Sequence, residues 1–235
     1  MKTDPERPII AVCGLKAEAK MAAGPGILVM PGGGDSWALE IALRQLAPHA
    51  RALVSFGIAG GLAPDLKAGA CLVASSVICP LGETFEAHLG WRESLAGALG
   101  GAAIARFAGV DVPLADRAGK QALHRETGAV LVDMESHIVA RVARAHSLPF
   151  AAIRVVADPA GRQLPHAATV GMRPDGRVDI AAVLRSLARD PRQVPALVRT
   201  ALDARAAFAS LFRSRQMLSR GFGLFDFGDP LLDVA

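Results

Sequence analysis

A chain of 235 residues, 51% hydrophobic and 20% charged, has enough apolar side chain for one packed α/β domain, which excludes intrinsic disorder. Its aromatic share is 5% with no tyrosine, so it lacks the stacking surfaces of a sequence-general nucleic-acid binder. A nucleic-acid reading would rest on the net charge of +4 alone, and that charge suits an anionic substrate, a membrane surface or simple solubility equally well.

In chain order, apolar runs predict strands at 9–13, 26–30, 52–56, 71–77, 102–107, 129–132 and 150–157. They are apolar throughout rather than alternating, as strands buried on both faces are. Helices are predicted at 36–46, 92–99, 120–125 and 134–146. This alternation implies one three-layer α/β domain over residues 1–235, with a mixed, mostly parallel central sheet flanked by helices. Residues 159–177 are rich in Pro, Gly and Arg and read as a loop able to cover a site. Two more helices are predicted at 179–188 and 193–218, so that 178–235 forms a C-terminal helical extension and tail. The tail from Gly221 is aromatic and turn-rich, and is expected to pack on the domain or on a partner subunit.

Cys13, Cys71 and Cys79 make an odd count with no C-x-x-C pair, and each lies in an apolar stretch. Reduced, buried thiols are expected, and with them a cytoplasmic setting. The N-terminus has acidic residues where a signal peptide would be basic, and no window reaches the ~18 apolar residues of a membrane span. The six histidines show no zinc-type spacing with carboxylates, so no metal site is expected. His137 and His146, on the predicted 134–146 helix, read as partly exposed.

Three segments carry candidate chemistry. In the first, an apolar strand runs into Gly57, Gly60 and Gly61 with Ile58 between them, where backbone N–H groups could approach a ligand. A tight crossover without a ligand explains the same glycines, and no dinucleotide-binding helix follows. In the second, Val132-Asp133-Met134-Glu135-Ser136 opens a helix. Asp133 reads as its N-cap, and Glu135 is explained as well by favourable helix-end electrostatics as by a ligand. In the third, Ile153-Arg154-Val155-Val156-Ala157-Asp158 is a buried strand ending in a carboxylate at the sheet edge. Asp158 could equally cap a short helix with Pro159 at its first position.

Together with Gly14-Leu15-Lys16-Ala17-Glu18 and Gly32-Gly33-Gly34-Asp35, these segments resemble the signatures of the methylthioadenosine/S-adenosylhomocysteine nucleosidases and their purine nucleoside phosphorylase relatives. The resemblance runs in order over residues 8–160. It implies cleavage of a purine–ribose bond without a cofactor, with Asp158 as the general acid that protonates the base at N7. It further implies that Glu135 holds the ribose hydroxyls, Met134 packs on the ribose, and Glu18 activates water. The glycines of the two loops, Gly33 and Gly34 with Gly60 and Gly61, and Ile58 would line the substrate. Ile58 stands where the nucleosidases commonly have a serine, and Val112-Pro113-Leu114 where an aromatic residue often faces the base. Near the first loop the chain has Lys16 and Lys20, and before the glycine loop Ser55-Phe56, rather than the arginines with which phosphorylases bind phosphate. Water is therefore the expected second reactant and phosphate the alternative co-substrate; a non-catalytic purine-binding module is the remaining alternative.

The wording of these motifs is most similar to the hopanoid-associated phosphorylase-like proteins. That likeness implies removal of adenine from adenosylhopane, a lipid-linked nucleoside, by a homodimer working in the cytoplasm or at the inner membrane surface. Phe208, Leu211, Phe212, Phe222, Phe225 and Phe227 could line an apolar channel, and a helix bearing Arg205, Arg213 and Arg215 could lie on an anionic membrane. A C-terminal helix packed on the domain with a solvated basic face accounts for the same residues.

Overall fold

The computed structural model describes residues 6–32, 34–79, 82–170, 179–218 and 220–224. In chain order these form β1 (Ile9–Cys13), α1 (Lys16–Ala22), β2 (Ile27–Pro31), α2 (Ser36–Leu46), β3 (Ala52–Gly61), β4 (Cys71–Ile78), β5 (Thr84–Glu86) and α3 (Leu89–Ala98). There follow β6 (Ala103–Gly109), α4 (Arg117–Thr127), β7 (Leu131–Asp133), α5 (Ser136–Ala145), β8 (Phe150–Asp158), α6 (His166–Val170), α7 (Ile180–Arg189) and α8 (Val194–Met217). One sheet joins all the strands, and its parallel pairs β2–β1, β1–β3, β3–β8, β4–β6 and β6–β7 outnumber the antiparallel β3–β7, β4–β8 and β4–β5. The domain is thus the mixed, mostly parallel α/β type expected. The pairings also close a ring, β3–β7–β6–β4–β8–β3, which periodicity cannot reveal.

Strands buried on both faces explain the unbroken apolar runs. On β1, Ile10 and Val12 join a core under α2 and α5 with Leu39, Leu43, Val139 and Val142. Ile9, Ala11 and Cys13 face the opposite core under α3 and α8, among Trp91, Leu95 and Leu211. The alternation of a pleated strand therefore feeds two apolar layers. Cys13 and Cys79 are buried and Cys71 half-buried, all as free thiols.

Several expectations change. β3 does not stop at Phe56 but continues through its glycines to Gly61, because β8 and β7 supply backbone partners there: Gly60 pairs with both Asp158 and Val132. α5 begins at Ser136, with Glu135 just ahead of it rather than inside its first turn, because one carboxylate oxygen of Asp133 accepts the N–H groups of both Glu135 and Ser136. Asp158 caps no helix; Pro159 enters a turn and the next helix starts at His166. His137 is buried rather than partly exposed, and Gly109 makes this feasible, since any Cβ there would overlap its ring. α1, β5 and α6 were not predicted, being too short for their patterns to register.

The C-terminal segment is divided. The second half of α8 places Ala207 and Leu211 in the core, and the chain then doubles back so that Phe222 is fully buried. Phe208 packs on the same core while Phe212 is half-exposed, so Phe208, Leu211, Phe212 and Phe222 form packing and surface rather than a shared channel. Phe225 and Phe227 lie outside the described residues. Arg215 is also drawn inward: its guanidinium lies 4.8 Å from the Phe222 ring and donates to the carbonyls of Ala22 and Leu218.

Candidate active site

The end of β3 organises a buried charged cluster. Arg154, in the middle of β8, has no solvent exposure, and β8 lies beside β3 with Arg154 level with Gly57. Its Nη2 donates to Ser55 Oγ at 2.7 Å, Asp133 Oδ1 at 2.9 Å and Glu135 Oε2 at 3.0 Å. A Cβ on Gly57 would come within 2.5 Å of Arg154 Nη1 and 2.7 Å of the Glu18 carboxylate, so glycine is what admits both groups. Glu18 itself is anchored by backbone donors, Leu15 N–H to Oε2 and Ile58 N–H to Oε1, each at 2.8 Å.

Glu135 is packed just as closely. A Cβ on Gly14 would lie 2.7 Å from its Oε1, and one on Gly32 3.0 Å from its Cγ. The first two loops therefore converge on this carboxylate, one through Gly14 and the other through Gly32. Gly34 instead lies exposed in a left-handed turn ahead of α2, which Asp35 caps by accepting Ala38 N–H. Gly33 lies outside the described residues.

Three carboxylates thus surround one guanidinium, and their proton affinities diverge. Burial raises the pKa of Glu135 to about 7; Arg154 opposes the rise, while the charges of Asp133 and Glu18 add to it. Burial likewise raises Glu18 against the pull of Arg154. Asp133 is lowered, because Arg154 and the N–H groups of Ser136 and Glu135 overcome its burial. Arg154 is itself held firmly charged, the carboxylates outweighing its desolvation. One carboxylate of low and two of high proton affinity in one buried cluster is a pattern associated with acid–base sites.

Asp158 lies two residues further along β3 than the Ile58 N–H that holds Glu18, about 7 Å in extended chain, with its carboxylate oxygens 3.3 and 3.4 Å from where a Gly60 Cβ would be. Its partner is Lys120, fully buried on α4, whose Nζ lies 2.5 Å from Asp158 Oδ2 and 3.2 Å from the Asp158 carbonyl. Burial raises the Asp158 pKa, and Lys120 opposes the rise without cancelling it. Gly61 packs against Pro159 and Ala160. Met134 is half-buried between Asp133 and Glu135, and Ile58 is half-buried on β3.

The structure therefore joins Glu18 and Glu135 around Arg154 and sets Asp158 further along the same strand, held by its own cation. Sequence reasoning did not single out Arg154, Asp133 as an ion-pair partner or Lys120, and it read Gly57 as an approach for backbone N–H groups rather than as the space that admits Arg154 and Glu18. A signal for Arg154 existed: it is the one charge inside the apolar run 150–157. Lys120 sits in a polar helix and carried none. Among the described residues, no group of three or more His, Cys, Asp or Glu side chains is placed to hold a metal ion. Nor is any described helix long and apolar enough to cross a membrane.

A family model described as the phosphorylase superfamily matches residues 101–189. No curated protein sequence matches the chain. Among solved structures, S-adenosylhomocysteine nucleosidase from Streptococcus pyogenes superposes with a TM-score of 0.61 at 15% identity, covering 67% of this chain and 86% of that one. The methylthioadenosine/S-adenosylhomocysteine nucleosidase of Helicobacter pylori gives 0.61 at 17% identity over 92% and 100% of the two chains. Futalosine hydrolase from the same organism gives 0.60 at 17% over 90% and 97%. The chain shares the fold of these nucleosidases.

Proposed function

We propose that this protein hydrolyses the N-glycosidic bond of an adenine nucleoside. The observation that carries the reading is the division of labour along the end of β3: Glu18 and Glu135 around Arg154, then Asp158 on Lys120. The neighbours' names, nucleosidases and a hydrolase, agree with it. The base leaves with the electrons of its bond to C1′ and accepts a proton at N7 from Asp158, whose raised proton affinity suits an acid. Glu135 accepts hydrogen bonds from the ribose hydroxyls, which strengthen as the ring becomes cationic, and Met134 packs on the sugar. A water attacks C1′ and yields its proton to Glu18, whose two oxygens are fixed by backbone N–H groups. Both carboxyl groups then return to their starting states by exchange with solvent.

Water is favoured over phosphate as the second reactant by charge. Glu18, Asp133 and Glu135 outnumber Arg154, so a phosphate dianion would enter a site already rich in carboxylates. Phosphorolysis needs the reverse balance.

The substrate we infer is adenosylhopane, giving adenine and ribosylhopane in hopanoid biosynthesis, with the protein working as a cytoplasmic homodimer at the inner membrane surface. Its support is the motif wording together with the outward side of α8. There Val194, Val198, Leu202 and Phe212 are exposed beside Arg205 and Arg213, and Asp203 is the only acid on the helix. Such a face complements an anionic bilayer. Trp37 and Ile41, one turn apart on α2 and both exposed, offer an apolar face to a second copy.

The test is to incubate the protein separately with adenosylhopane, methylthioadenosine and inosine, each with and without phosphate, and follow the free base. Adenine should be released without phosphate, fastest from adenosylhopane, and Asp158→Asn should slow that release at least 100-fold, about 2.7 kcal/mol of barrier. A variant retaining more than a tenth of the wild-type rate removes Asp158 from the acid role, and strict phosphate dependence replaces hydrolysis by phosphorolysis.

A further inference from the structure

Away from the carboxylate cluster, the molecule has a sizeable concavity. A cavity of about 810 Å³ lies between the start of α4, the 162–166 segment, α6, α7 and the first turns of α8, and it contains none of Glu18, Glu135 or Arg154. Its size falls in the roughly 300–1,000 Å³ of small-ligand sites. Its walls carry Arg117, Arg162, Arg185, Arg189, Arg192 and Arg199, against Asp190 as the only acid among the described lining residues.

Only Arg162 has a carboxylate partner among the described residues, Asp203 at 2.8 Å. Asp190 is turned to its own backbone, accepting Arg192 N–H. Among the described residues, the other five guanidiniums line this concavity without a carboxylate partner. The cavity's framework is nevertheless built rather than incidental. Gln193, just ahead of α8, accepts Ala167 N–H at 2.8 Å and donates to Ser186, which ties α6 and α7 to the start of α8.

Planar guanidinium forks arranged around a hollow match tetrahedral oxyanions better than isolated charges do. We propose that this cavity is a binding site for a ligand carrying two or more phosphoryl groups, or for the phosphoryl headgroup of a lipid. The site is independent of glycosidic-bond cleavage. It abuts the segment bearing Asp158, since Lys120 Nζ also reaches the Arg162 carbonyl at 3.4 Å.

The experiment is isothermal titration of the full chain with tripolyphosphate at fixed ionic strength. Saturable binding is expected, weakened at least tenfold in Arg185→Ala/Arg189→Ala. Arg205→Ala/Arg213→Ala, which removes exposed arginines of α8 outside the cavity, should leave it unchanged. Vesicles containing phosphatidylglycerol distinguish the sources: binding that tripolyphosphate displaces assigns the cavity to a headgroup, and tripolyphosphate binding without vesicle binding assigns it to a soluble ligand. No binding beyond that of sodium chloride at equal ionic strength overturns the proposal. So does equal weakening by the two double variants, which would make the effect one of diffuse charge.

Discussion

Lys120 bears most directly on the chemistry at Asp158. It is buried against an acid that, as proposed, gives up its proton when the base departs, so its ammonium meets the negative charge developing on Asp158. Lys120→Met should therefore slow adenine release roughly tenfold or more. The same change removes what opposes the upward pKa shift of Asp158, whose protonated form is the active one. The high-pH limb of the kcat/KM profile should then move to higher pH, whereas a lysine that merely packs would lower activity without moving that limb. Legibility was uneven at this scale. Glu18, Glu135 and Asp158 were nominated by likeness, but Lys120 could not be, because a lysine on a polar helix looks solvated until the fold covers it.

Among the elements, the short stretch after α8 shows how a tail becomes core. Gly221, Phe222 and Gly223 all take left-handed backbone angles, and for Phe222, at φ 52°, this is unfavourable by roughly 1–2 kcal/mol. Its fully buried ring offsets the strain by packing edge-on to Phe56 with centroids 5.2 Å apart, while its carbonyl accepts Trp91 Nε1–H at 2.9 Å. Phe222→Ala should lower unfolding stability by about 3–5 kcal/mol in urea denaturation. A loss below about 1 kcal/mol would mean that the returning chain rests on the domain without supporting it. The composition of the tail announced packing somewhere, and the turn that directs it under α3 depends on contacts from distant segments.

Across the molecule, the closed ring of strands brings residues from β3, β7 and β8 into a space too small for water to solvate all their charges. The cost is visible in Glu135, which holds its proton up to about pH 7 in the folded state against an ordinary value of 4.5. A folded-state pKa above the unfolded one stabilises the protein below pH 4.5, and that contribution disappears as pH rises through about 7. Between pH 5 and 8, Glu135→Gln should therefore lose less stability than the wild type, as read from paired denaturation curves. Parallel curves would place Glu135 in a solvated setting at odds with its burial. Under the proposed ribose-binding role of Glu135, activity has the opposite sign, because accepting hydrogen bonds from the hydroxyls requires the ionised carboxylate.

Local pattern was sufficient for the strands, the long helices and the three-layer class, because unbroken apolar runs and helical periodicity are properties of neighbours in the chain. The acids were nominated by the likeness of their motifs to a known family, since local pattern explained Glu135 and Asp158 equally well by helix-end electrostatics and capping. Local pattern could not decide that β3 continues through its glycines, that Gly57 is vacant so that Arg154 and Glu18 can meet, or that Asp158 rests on Lys120. Each of these depends on which strand lies beside which. Pairing and burial are set by the packing of distant segments, and desolvation, the leading influence on the proton affinities of these acids, exists only once that packing is complete.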